Sequence, residues 1–119
     1  MPFSDPLQRF GDIIENIDRI ERFTAGMELQ DFTENEQVIL AVRYALLIVS
    51  GAAVKLSDLA TALCPDIPWR EIRGLGNRLR HDYLGIDDVR LWLLVKRDLP
   101  PLKIACRAAL AALQQEDPE

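Results

Sequence analysis

Glu36-Gln37-Val38-Ile39-Leu40-Ala41-Val42-Arg43-Tyr44-Ala45-Leu46-Leu47-Ile48-Val49-Ser50-Gly51-Ala52-Ala53-Val54-Lys55-Leu56 decides the architecture. The core of this stretch, Val38 to Val54, is 17 residues and nearly all apolar. A membrane span needs about 20 apolar residues, so this run sits at the lower length limit, and it holds Arg43. A central helix buried on most sides by other helices is the better reading. Ser50, Gly51, Ala52 and Ala53 are small enough to let a neighbouring helix approach closely. Thr33 with Glu36 is a candidate capping box for its start.

The flanks supply the helices that would cover it. Upstream, Ser4-Asp5-Pro6 reads as an N-cap followed by a first-turn proline. Phe10, Ile13, Ile14, Ile17, Ile20 and Phe23 then recur at three- and four-residue steps, one apolar stripe on a long amphipathic helix that Gly26 ends. Glu28 to Glu34 is a polar connector or single helical turn anchored by Leu29 and Phe32. Downstream, Ser57 to Pro68 is a second connector, with one helical turn at Asp58–Leu63. Pro68 opens a helix running to about Tyr83, with Gly85 as its stop. Asp87 to about Asp98 forms a shorter helix with Val89, Trp92, Leu93 and Lys96 on a common face. Pro100-Pro101 break it and start the last helix, which lines up Leu102, Ala105, Ala109, Leu110 and Leu113. The spacing therefore predicts an all-α bundle of about four main helices plus one or two short ones, a single domain over residues 1–119.

Composition agrees. A chain of 119 residues with 49% hydrophobic and 28% charged residues suits one soluble globular domain. No secretory signal is visible at the N-terminus, where Asp5, Arg9 and Asp12 interrupt any apolar run. Cys64 and Cys106 make no metal-ligand pattern, so a reduced, cytoplasmic setting away from any membrane is expected. The net charge of −5 is unevenly spread. Residues 1–40 carry nine acids and three bases, whereas residues 70–107 carry nine bases and five acids. That argues for a locally positive surface on an acidic protein, with an ordinary solvated helix face as the other reading of the same charges.

That surface centres on Arg73-Gly74-Leu75-Gly76-Asn77-Arg78-Leu79-Arg80-His81-Asp82-Tyr83, which holds the only histidine of the chain. At about 100° per residue, Ile72, Leu75 and Leu79 share the core stripe, with Trp69 at its edge. Arg73, Asn77, Arg78 and His81 then share the opposite, polar face, with Arg80 and Tyr83 in a row beside it and Arg70 just upstream. An ordinary exposed histidine among surface arginines would show the same spacing. The two glycines cost about 1 kcal/mol each inside a helix relative to alanine, which points to close approach of another backbone or of a ligand.

The chemistry available to such a face is work on phosphodiesters. Histidine moves protons near neutral pH. Arginine grips phosphate in a bidentate fork and stabilises transition-state charge. With no metal-ligand cluster in the sequence, metal-independent RNA cleavage by the 2′-hydroxyl of the RNA itself is the reaction that fits, with no cofactor. It wants both a base and an acid. One chain supplies one histidine, so a two-fold homodimer with the site at its interface would supply the pair.

The segment Asp66 to Tyr83, followed by Gly85-Ile86-Asp87 and Val95-Lys96-Arg97-Asp98-Leu99-Pro100, resembles the HepT-like proteins of the HEPN superfamily. The likeness extends to Ile17–Arg22 and Ala45–Ala53 and covers almost the whole chain. The resemblance implies an all-α dimer and a metal-independent endoribonuclease, the toxin of a toxin–antitoxin pair. Its partner would be a small MNT-type nucleotidyltransferase antitoxin that adds AMP to a tyrosine of the motif. His81 and Tyr83 match the family's His-x-Tyr, which makes Tyr83 the AMP acceptor, and Asn77 matches the asparagine that follows the motif arginine. The usual place of that arginine, five residues before His81, is Gly76. Gly51 stands where relatives often carry a glutamate. Either the arginine's role passes to Arg73, Arg80 or Arg78, or cleavage is lost and the protein is a silent HEPN partner that binds a nucleotide or the nucleotidyltransferase. A structural helical dimer with an incidental basic face is the third reading. On the first, His81, Arg73, Arg80 and Asn77 form the catalytic set, while Arg78 and Arg70 hold RNA.

Overall fold

A computed structural model describes residues 5–81 and 86–115. The described residues fold into α1 (Pro6–Phe23), α2 (Leu29–Thr33), α3 (Glu36–Leu56), α4 (Asp58–Leu63), α5 (Trp69–Arg80), α6 (Asp88–Leu93), a π turn (Leu94–Asp98) and α7 (Leu99–Gln115). Four of these, α1, α3, α5 and α7, are long, and no strand occurs among the described residues. The all-α bundle follows from the sequence as expected.

α3 is the centre. Its 21 residues are long and apolar enough to cross a membrane by length and composition alone. Its place in the fold explains that hydropathy: it packs against both α1 and α5. Ile39, Val42, Ala45, Leu46, Val49, Ala52, Ala53 and Leu56 are buried in the shared core. Each large aliphatic side chain so covered adds about 1.5–3 kcal/mol. The helix starts at Asn35, whose side chain accepts a hydrogen bond from Val38 N at 3.0 Å. The expected Thr33–Glu36 box is not used: Thr33 closes α2, and its hydroxyl donates back to Gln30 O at 3.2 Å.

α1 starts as expected, with Asp5 accepting from Leu7 N at 3.0 Å and Pro6 as the first helical residue. Phe10, Ile13, Ile17 and Ile20 of its stripe are fully buried. Phe23, the last residue of the stripe, is half out in solvent. Lys103 ties α7 to α1 through Asp18 at 2.6 Å and Glu21 at 2.9 Å. The ring of Phe32 lies 5.1 Å from that of Trp92, which docks α2 on α6.

Two expectations about the C-terminal third need correction. Pro100-Pro101 do not break the chain into two helices; a helical run continues from α6 through the π turn into α7. Prolines have no N–H to donate, and their rings crowd the carbonyls one turn back. The wider π turn over Leu94–Asp98 relieves that crowding, with Leu99 N donating to Leu94 O. The buried set of this run is Leu91, Trp92 and Val95, an ordinary i, i+1, i+4 helical face. Val89 and Leu93, expected inside, are exposed. Lys96 is on the surface and covers the Trp92 ring at 5.0 Å.

Candidate functional site

α5 carries Arg70, Arg73, Asn77, Arg78 and Arg80, and its strongly amphipathic pattern decides which way each points. Trp69, Leu75 and Leu79 are buried against α3 and its neighbours. Trp69 is fixed further by its indole N–H, which donates to Cys64 O at 2.9 Å. With that side committed to the core, Arg70, Asn77, Arg78 and Arg80 are exposed and Arg73 is half-buried.

The close approach foreseen for the two glycines occurs at one of them. Gly76 N donates to Ser50 Oγ at 2.9 Å, and Ser50 Oγ donates to Arg73 O at 2.9 Å. A Cβ on residue 76 would stand 2.8 Å from Ser50 Oγ and 3.3 Å from Ser50 Cβ. The same point is 3.8 Å from Nη1 of Arg80, whose guanidinium folds back one turn over the bare backbone. Gly74 has open space around it. Of the small residues on α3, Ser50 makes the contact and Gly51 faces open space.

The helix is shorter than expected. It ends at Arg80, and His81 is its C-cap with φ −110° and ψ 82°. His81 is exposed and leaves the helical path, so its direction is not set by the 100° period. The next described residues are anchored to α3. Arg43 Nη2 of α3 donates to Ile86 O at 2.6 Å and lies 3.8 Å from Asp88 Oδ1. Tyr83, with the expected stop at Gly85, lies outside the described residues.

The arginines of α5 separate into two groups. Arg73, Asn77 and Arg80 share one flank with the Gly76 contact, within roughly 60° of one another, and Arg70 adjoins Asn77. Arg78 stands roughly 140° from Arg73 and does not join them. It lines a cleft of about 360 Å³ with Glu71 of α5, Arg90 of α6 and Arg97 of the π turn, over a floor that includes Ile72, Leu75 and Leu99. Nη1 of Arg73 and Nη1 of Arg43 are buried and meet no hydrogen-bond partner among the described residues.

Two residues of this arrangement escape sequence reasoning. Arg43 enters it only as a charge that interrupts an apolar run, and its spacing gives no sign that it bonds the backbone of Ile86, 43 positions away. Ser50 is legible as a small residue but not as the hydroxyl that joins two helices. Its one signal is polarity on the buried face of an otherwise apolar helix.

Residues 13–109 match the family described as "Ribonuclease HepT-like". Among curated proteins, the "Probable ribonuclease HepT" of Thermococcus cleftensis is 39% identical over 92 residues, 77% of this chain and 84% of the relative. The "Putative RNase MJ1380" of Methanocaldococcus jannaschii is 36% identical over 92 residues, with the same shares. A second protein of that organism, "Putative RNase MJ1216", is 32% identical over 103 residues, 87% of this chain and 85% of the relative. No solved structure gives a significant match.

Proposed function

Since the chain belongs to the HepT-like ribonuclease family, we propose that it is a metal-independent endoribonuclease. Its site would lie at a homodimer interface, and it would act as the toxin of a pair whose antitoxin is a small nucleotidyltransferase. The observation that carries this reading is the flank of α5. Arg73, Asn77 and Arg80 stand together on it, and the helix ends on His81. Phosphate held there would meet two guanidiniums and an amide beside a group able to move a proton.

The reaction divides as follows. One His81 takes the proton of the 2′-hydroxyl, whose oxygen attacks the adjacent phosphorus. The bond from phosphorus to the 5′-oxygen breaks, and the second copy of His81 protonates that oxygen. Arg80 and Arg73 hold the non-bridging oxygens as charge builds on them, Asn77 orients the phosphate, and Arg78 and Arg70 hold flanking RNA. The atoms balance without metal or cofactor, and the product ends are a 2′,3′-cyclic phosphate and a 5′-hydroxyl.

An exposed apolar stripe supports the dimer. Leu40, Tyr44 and Val54 of α3 are 59%, 67% and 53% exposed, and Gly51 between them is open. A soluble chain gains by burying such a stripe against its own copy. Tyr83 is the proposed AMP acceptor. The added group would block the site by bulk and negative charge.

Expression without the partner gene tests the biology. Growth arrest by the wild type, its relief by His81→Ala, and its relief by a co-expressed nucleotidyltransferase are expected. Growth unaffected by the wild type would overturn the toxin reading. The silent-partner reading has its own observation, the Ser50 packing that leaves no room for a side chain at residue 76. Co-purification with the nucleotidyltransferase and no RNA cleavage would select it.

A further inference from the structure

We propose that Ser50 is a positioning residue that sets the place of the Arg80 guanidinium; the inference rests on the ribonuclease reading of the α5 flank. Ser50 is 2% exposed and makes two hydrogen bonds to a single turn of α5. Its hydroxyl gives a proton to Arg73 O and takes one from Gly76 N, so donor and acceptor capacity are both used. Apolar packing alone leaves a helix free to rotate by small angles about its axis. Two directional bonds to one hydroxyl remove that freedom at residues 73–76, the turn directly before Arg80. The contact also reserves space. The approach of Ser50 keeps residue 76 bare, and the Arg80 guanidinium lies across that bare backbone. A shift of α5 toward or away from Ser50 therefore moves the surface on which Arg80 rests. Ser50 touches no substrate in this account; it acts through Arg80.

A double-mutant cycle in RNA cleavage tests this. Ser50→Ala, Arg80→Ala and the double variant are compared with the wild type. kcat and KM are measured apart, well below the lowest melting temperature of the set. Ser50→Ala should lower kcat roughly tenfold, with KM changed no more than about twofold, since an ångström of misplacement is enough for losses of that order. In the Arg80→Ala background, removing the Ser50 hydroxyl should change kcat little, while the losses in melting temperature still add. A fall in kcat of the same factor in both backgrounds would mean that Ser50 merely stabilises α5, and would overturn the proposal. So would an unchanged kcat in Ser50→Ala. A wild type that leaves RNA intact removes the ribonuclease reading itself, and this inference with it.

Discussion

Gly74 and Gly76 are two residues apart and differ in what surrounds them. Gly74 is exposed in a helix interior with open space where a Cβ would go. Gly74→Ala should therefore raise stability by ~0.5–1 kcal/mol through helix propensity. At residue 76 a Cβ would stand 2.8 Å from a hydroxyl already held by two hydrogen bonds, so it cannot yield cheaply. Gly76→Ala should lower stability by ~1–3 kcal/mol, the usual cost of overpacking. Thermal melts of the two variants check both signs. Sequence spacing marks both glycines as points of close approach, and only one of them is. The difference depends on which residue of α3 lies opposite, and that depends on the rotation of two packed helices. The core side of α5, set by period alone, is legible; the partner of each glycine is not. Arg78 shows the same limit. It belongs to the polar side of the helix, but the polar side is wide, and the cleft beside α6 takes it away from Arg73.

Between elements, the ion pairs of Lys103 join α7 to α1. Hydrogen bonds that Lys103 donates to Asp18 and Glu21 raise its pKa above the ordinary value, outweighing the opposing effect of desolvation. A cation with a raised folded pKa contributes its stability fully below the unfolded value of about 10.5, and loses it as pH climbs through the folded one. Lys103→Met should thus cost ~0.5–1 kcal/mol at neutral pH. Denaturant melts of the pair should converge as pH rises past the raised Lys103 value. The joint of α4 and α7 offers a second check. Burial pushes the Cys106 thiol up to about 12, with the neighbouring Cys64 adding to it. Cys64 is raised by burial as well, and its thiol donates to Ala105 O at 3.5 Å. Neither thiol should react with iodoacetamide at neutral pH until the protein is unfolded. The helices themselves were within reach of periodicity, down to the cap at Asp5. The continuous run through Pro100-Pro101 was not, because proline ordinarily ends a helix. The π turn that accommodates the two prolines depends on the packing of α6 and α7, which no local pattern encodes.

For the whole molecule, α3 presents adjoining strips to different duties. Its buried side packs with α1 and α5, and Ser50 and Arg43 at the edge of that side bond to Arg73 O, Gly76 N and Ile86 O. Beside that edge, Leu40, Tyr44 and Val54 stand in solvent. If that stripe is the dimer face, Leu40→Asp and Tyr44→Glu should yield monomers in sedimentation equilibrium with melting of the isolated fold retained. They should also lose RNA cleavage, since each monomer keeps a single His81. A wild type that sediments as a monomer would separate the stripe from the site. The likeness of this chain to HepT-like ribonucleases fixes its family, and the sequence carried that likeness through His81 and Asn77. The fold adds that Nη1 of Arg80 lies 3.8 Å from where a Cβ on residue 76 would stand.

Product-end analysis of RNA treated with purified protein in EDTA tests the central claim most directly. The account expects fragments ending in 2′,3′-cyclic phosphate and 5′-hydroxyl, formed by the wild type and abolished in His81→Ala. Intact RNA, cleavage that survives His81→Ala, or fragments bearing 5′-phosphate would contradict it.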